Sequence, residues 1–153
     1  MQLTLHADYA FRTLIYLGAQ PEGQLVSTEQ ISQSYGISKH HLVRVVQTLN
    51  QHGLVKVYPG RSGGISLARD AGKIRLGDVM RVAETNLKVV ECFDMETNTC
   101  PIVPVCQLKP VLAEALNAFL SVLDKYTLAD LLDPRRRNSL TKLFALSNPS
   151  KSR

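Results

Sequence analysis

Residues 27–52 read STEQISQSYGISKHHLVRVVQTLNQH. Ser27 and Gln30 have the spacing of a capping box, which predicts a short helix running through Gln33. Ser34-Tyr35-Gly36-Ile37 then supplies a tight turn, with Gly36 suited to the left-handed conformation that ends a helix and Ser38 suited to cap the next one. In that next helix, reaching about His52, Leu42, Val45, Val46 and Leu49 recur at the i, i+3, i+4, i+7 spacing of a buried stripe. Lys39, His40, Val43, Arg44 and Gln47 share the opposite face. Two helices joined by a short Gly-containing turn, the second with a polar and basic outer face, form the helix-turn-helix pattern, which places its second helix in a DNA major groove. The bland alternative is a basic face that is merely solvated.

Downstream, Leu54–Tyr58 and Ile65–Leu67 alternate apolar and polar residues around Pro59-Gly-Arg-Ser-Gly-Gly64 and predict a hairpin. A hairpin directly after a helix-turn-helix is the wing of a winged helix. Gly63 and Gly64 permit positive φ and close backbone approach, and Arg61 at the tip can enter a minor groove. Upstream, about Thr4 to Gln20 reads as a first helix, broken by Pro21-Glu22-Gly23. A fourth helix over Leu76–Glu84 turns Leu76, Val79, Met80 and Ala83 inward, and the longest helix spans Gln107–Tyr126. Its wide apolar stripe calls for a partner helix in a twofold dimer, or else closes the core of the single chain. Thr127–Leu132 forms a short final helix. The fold expected is mainly α with a small β-hairpin wing: a winged helix-turn-helix over 1–75, a connecting helix, cysteine loop and dimerisation helix over 76–132, and a disordered basic tail over 133–153.

The 153 residues, 44% hydrophobic and 20% charged, exclude collagen-like repetition and wholesale disorder. No apolar run is long enough to span a bilayer, the opening segment lacks a basic leader, and a cytoplasmic chain is expected. The net charge of +5 is unevenly spread: residues 1–75 and 133–153 are basic while 76–132 are acidic. A basic front half points to nucleic acid. Ser38, Lys39, His40, Val43 and Arg44 are the candidates for the major groove, Arg61 and Ser62, with Gly63 and Gly64, for the minor groove, and Thr28 and Arg12 for phosphates. No nucleophile elbow, phosphate loop or pair of catalytic carboxylates is present, so an enzyme is not expected.

Cys92, Cys100 and Cys106, all the cysteines of the chain, fall within one 15-residue window whose prolines and asparagine break regular structure. An odd count in a reducing compartment argues against a disulfide framework and leaves a metal or a redox switch. Intervals of seven and five residues do not match zinc knuckles. Soft thiolates on a wide loop fit an iron-sulfur cluster better, and three cysteines then require a fourth ligand of another type. Among candidates, His6 is the strongest histidine by position, with His40, His41 and His52 behind it. Asp8 alone reads as an acid complementing the positive end of a helix.

Met1-Gln-Leu-Thr4 with Asp8-Tyr-Ala10 and Arg12, then Tyr35-Gly-Ile-Ser38, Gly60-Arg-Ser-Gly-Gly64, Cys100-Pro-Ile-Val-Pro-Val-Cys106-Gln-Leu-Lys109 and Tyr126-Thr-Leu-Ala-Asp130 together resemble the NsrR family of nitric-oxide-sensing repressors over about residues 1–132. The winged helix is shared with IscR-type regulators of cluster biogenesis. What the resemblance implies is a homodimeric repressor of promoter DNA, a [4Fe-4S] cluster on the three cysteines, and a fourth ligand matching Asp8, donated by the first helix of the partner subunit. The interval from Cys92 to Cys100 is longer than the family leads one to expect. An IscR-like [2Fe-2S] site expects a histidine three residues after the last cysteine, where this chain has Lys109. Competing readings are a winged-helix regulator sensing redox state or iron through the same thiols without a [4Fe-4S] cluster, and a small iron-sulfur electron carrier.

Overall fold

A computed structural model describes residues 2–147 of the chain. Helix α1 (Leu5–Ala19) opens on Thr4, whose hydroxyl accepts from the Ala7 amide at 3.2 Å, and Asp8 lies in its first turn. Ala7, Ala10, Leu14 and Leu17 bury one side of it. The capping box opens α2 (Thr28–Tyr35), with both reciprocal bonds between Ser27 and Gln30 in place. Gly36 ends α2 at φ +64°, the left-handed geometry that favours glycine. Helix α3 (Lys39–Gln51) buries Leu42, Val45, Val46 and Leu49, the stripe read from the sequence. Ser38 occupies its N-cap position, but its hydroxyl makes no capping hydrogen bond.

Strands β1 (Val55–Tyr58) and β2 (Gly64–Leu67) pair antiparallel, with Val55 opposite Leu67 and Val57 opposite Ile65. The glycines of the hairpin correct the sequence reading in one part, the positive φ, and bear it out in the other, the close backbone approach. Positive φ falls on Gly60, at +102°, and on neither Gly63 nor Gly64. Those two are demanded by proximity instead. A Cβ on Gly63 would sit 2.1 Å from the Tyr58 carbonyl oxygen, and one on Gly64 2.9 Å from that of Val26. Val26 is there because it exchanges two backbone hydrogen bonds with Ile65, at 3.0 and 2.8 Å, tying the wing to the entrance of α2. Arg69 secures the other end, donating to the carbonyls of Gly53 and His52 at 2.9 and 3.1 Å.

Helix α4 (Leu76–Ala83) turns Leu76, Val79, Met80 and Ala83 inward as expected. It stops at Glu84, a buried carboxylate that accepts from both the amide and the hydroxyl of Thr4, each at 3.0 Å. The root of the cysteine loop is thereby joined to the cap of α1. Helix α5 (Leu108–Asp124) follows the loop, about 25 Å long and without one buried residue. Arg81 of α4 holds it through a two-pronged bond to Asp124, both contacts 2.7 Å. Gly77 is required beneath this bridge, since a Cβ there would meet the Asp124 carboxylate at 1.8 Å.

After α5 the chain returns to the core. Leu128 donates to the Ile74 carbonyl at 2.8 Å, and the side chains of Leu128 and Leu132 are buried. Only Ala129–Leu131 of the expected final helix is helical, as one 3-10 turn. The expectation of a disordered tail over 133–153 is corrected for its described part. Pro134–Ser147 form helix α6, and residues 148–153 lie outside the described residues. The physical reason is Phe144. It is buried between Tyr16 and Tyr35, with ring centroids at 4.5 and 5.4 Å, and anchors a helix whose remaining faces are mostly polar.

Candidate nucleic-acid interface and cysteine loop

The outer face of α3 presents Lys39, His40, Val43 and Arg44 to solvent, preceded by an exposed Ser38. Lys39 reaches back to Glu29 of α2 at 2.9 Å, and that hydrogen-bonded charge holds the Glu29 carboxyl below the usual range. Both partners are exposed, so the pair is a weak one that DNA can replace. Among the described residues the guanidinium groups of Arg44 and Arg61 have no ion-pair partner, which leaves both charges available to phosphate or base. Arg61 and Ser62 are exposed at the hairpin tip, and Gly63 and Gly64 are half-buried behind it. Thr28 opens α2 half-buried.

Arg12 is not free. It donates to Asp8 at 3.1 Å through Nε and contacts the second carboxylate oxygen at 2.7 Å. Its guanidinium also lies 5.9 Å from the Tyr9 ring and 5.8 Å from the Tyr35 ring. Both oxygens of Asp8 are thus engaged within the same helix. The Tyr35 hydroxyl is pushed up to about 12, chiefly because burial disfavours the phenolate. Sequence reasoning missed two anchoring contacts. Arg69 carried no motif to mark it. Glu84 lies 80 residues from Thr4, beyond any local pattern.

The loop after α4 carries two single 3-10 turns, Glu91–Phe93 and Val103–Val105. Its shape is set by short-range bonds. Glu91 accepts from the amide and hydroxyl of Thr99 at 2.6 and 2.7 Å, and these bonds hold its carboxyl low. Lys88 pairs with Asp94 at 2.5 Å and does the same there. Cys92, Cys100 and Cys106 are half-buried free thiols. Their softness suits iron-sulfur ligation. Among the described residues, however, no three His, Cys, Asp or Glu side chains gather in a group fit to hold a metal, so the thiols and Asp8 are not assembled in the single chain. Met95, Ile102 and Val105 around them are 71%, 57% and 77% exposed.

The profile of the Rrf2 family, described as iron-dependent transcriptional regulators, matches residues 3–134. The chain belongs to the Rrf2 family. The HTH-type transcriptional regulator NsrR of Bacillus subtilis (strain 168) is 47% identical over 146 residues, 95% of this chain and 99% of that protein. Among solved structures, IscR of T. potens is 28% identical with a TM-score of 0.69, covering 86% of each chain. CymR (YrzC), the global cysteine regulator of B. subtilis, is 28% identical with a TM-score of 0.68, covering 86% of this chain and 95% of that one. This Rrf2 chain is a transcriptional regulator, mostly helical with a two-stranded hairpin wing. The electron-carrier reading is left without support.

One further surface of the Rrf2 chain bears on its assembly. Leu108, Val111 and Val122 of α5 are 60%, 58% and 52% exposed. With the exposed Ala115 and Ala118 they form a stripe at alternating three- and four-residue intervals. That is the seam spacing of paired helices, with small residues at its centre. The opposite side of α5 packs on α4. No helix among the described residues is long and apolar enough to cross a membrane.

Proposed function

We propose that this Rrf2-family chain is a cytoplasmic homodimeric repressor of promoter DNA that senses nitric oxide through an iron-sulfur cluster, of the [4Fe-4S] type, held by Cys92, Cys100 and Cys106 with Asp8 of the partner subunit as fourth ligand. The observation that carries the reading is the conjunction of three free, half-buried thiols on one loop with an α5 whose apolar seam faces solvent. The 47% identity to an NsrR supports it.

When bound, such a cluster supplies the iron centres with which nitric oxide reacts. The chain's own residues do the rest. The stripe from Leu108 to Val122 joins two copies, setting two α3 helices on two half-sites. Ser38, Lys39, His40, Val43 and Arg44 face the major groove, and Arg61 and Ser62 approach the minor groove from the hairpin tip, where Gly60 makes the turn and Gly63 and Gly64 leave room for the backbone. Thr28 holds phosphate, and Arg12 does so only when Asp8 leaves it. Asp8 therefore has two partners: Arg12 of its own helix, as in the single chain, or the shared site of the dimer. Exchange between them alters the first turn of α1, which is bonded through Thr4 to the root of the cysteine loop.

Purification without oxygen tests the reading. The expected result is coloured protein of dimeric native mass, with about four iron and four sulfide per subunit, whose promoter binding falls on addition of nitric oxide. A second reading is favoured by the dispersed thiols: a redox or iron regulator using the same cysteines without a [4Fe-4S] cluster. Colourless protein whose promoter binding follows thiol oxidation would establish that reading instead.

A further inference from the structure

Beside the recognition helix lies a pocket of about 250 Å³ lined by Leu5, His6, Tyr9, His41, Arg44 and Val45. Its walls follow from two helix faces. Leu5 and Tyr9 are one turn apart on α1, and His41, Arg44 and Val45 share a flank of α3. The volume is below the roughly 300–1,000 Å³ of pockets for drug-sized ligands, so the occupant is small. The polar lining consists of an imidazole pair, a phenol and a guanidinium, all able to donate hydrogen bonds, and no carboxylate takes part. Asp8, the nearest acid in sequence, is occupied by Arg12. Tyr9 and His41 hold each other at a ring separation of 6.2 Å, and among the described residues neither the Arg44 guanidinium nor the His6 and His41 rings make an ion pair.

More of the lining surface is apolar than polar, but every polar side chain in it can donate and none is an acid, a set that suits an oxyanion. Its position selects the source. Arg44 lines the pocket and also stands on the exposed face of α3, so the pocket opens along one edge of the surface that faces DNA. A helix seated in a major groove has a phosphate backbone at either edge. We infer that this pocket is a phosphodiester site, in which Arg44, His41 and Tyr9, with His6 at the rim, grip a backbone phosphate of the operator on the α1 side of the recognition helix. Arg44 is then a positioning contact shared by all sequences, and base reading falls to Ser38, Lys39, His40 and Val43. The inference rests on the DNA-binding reading above.

The test measures binding of full-length wild type and the variants Arg44→Gln, Tyr9→Phe and His41→Ala to a promoter duplex and to an unrelated duplex of equal length, across a salt series. Each variant is expected to weaken both duplexes by the same factor, about tenfold for Arg44→Gln and about threefold for the other two. The slope of log affinity against log salt should become shallower by about 0.9 in Arg44→Gln. Tyr9→Phe keeps the packing of the ring and guards against simple misfolding. A loss confined to the promoter duplex, or no loss in any variant, would overturn the phosphate assignment while leaving DNA binding intact. Wild type that binds neither duplex would remove the DNA reading itself. Inorganic phosphate that perturbs the His41 ring resonances while the variants keep wild-type duplex affinity would replace the operator with a free oxyanion.

Discussion

The front half of the molecule and the segment from the cysteine loop through α5 are built by opposite rules. Helices α1 to α4 and the wing close on themselves: Ala7, Ala10, Ile31, Leu42, Leu49 and Val79 are fully buried. The loop and α5 bury no residue, although α5 is rich in leucine and alanine. Apolar surface left in water costs free energy on the order of 25 cal/mol per Å². The contrast separates a part whose structure is decided within one chain from a part that is completed by something outside it.

The largest expected effect breaks the contrast at its firm side. Leu42→Ala, at a site with no exposure, should cost about 2–5 kcal/mol in denaturant unfolding. Ile102→Ala, 57% exposed in the loop, should stay within about 0.5 kcal/mol in the same assay. Phe144→Ala comes next, at about 3 kcal/mol, because it empties the site between Tyr16 and Tyr35. Amide exchange should then show α6 releasing before the front half. Ala118→Glu sharpens the other side. Placing a charge in the exposed seam should leave the melting of the single chain unchanged, halve the native mass, and weaken promoter binding about a hundredfold through loss of two-site engagement.

The smallest effects are pH-dependent and mark each region separately. Tyr35 is pushed up to about 12 by burial, so its neutral form is favoured in the folded chain. Stability from this source is complete below about pH 10, the ordinary tyrosine value, and is lost as pH rises through the folded value. Tyr35→Phe should flatten the decline in melting temperature between those limits. Asp124 runs the other way: hydrogen bonding to Arg81 holds its carboxyl low. Its contribution is present above about pH 4 and is lost as acid protonates it, so Arg81→Gln and wild type should converge in melting temperature below that pH.

What could be read from the sequence was what is local. The Ser27 and Gln30 box, the Gly36 turn and the Leu42 to Leu49 stripe each depend on neighbours within a turn or two, and each stands in the structure. The cysteine window was equally legible as a composition, though its assembly is not settled within one chain. The failures share a cause in distance. For Gly63 and Gly64 the expected close backbone approach stands and the expected positive φ does not, and nothing nearby in sequence announces that Val26 is what passes over Gly64. The run Arg135-Arg-Arg137 resembled a solvated tail, and only the meeting of Phe144 with Tyr16 and Tyr35, more than a hundred residues upstream, makes it a helix start. The Asp8 and Arg12 pair was within local reach, at four residues' separation.

The bond between Glu84 and Thr4 has a practical corollary for anyone handling the protein. One sheltered carboxylate grips both the amide and the hydroxyl of a residue only three places from the first methionine. An affinity tag fused ahead of Met1 would hang its whole weight next to that clasp. Fusing the tag after Arg153 instead leaves the chain ahead of Thr4 as it is.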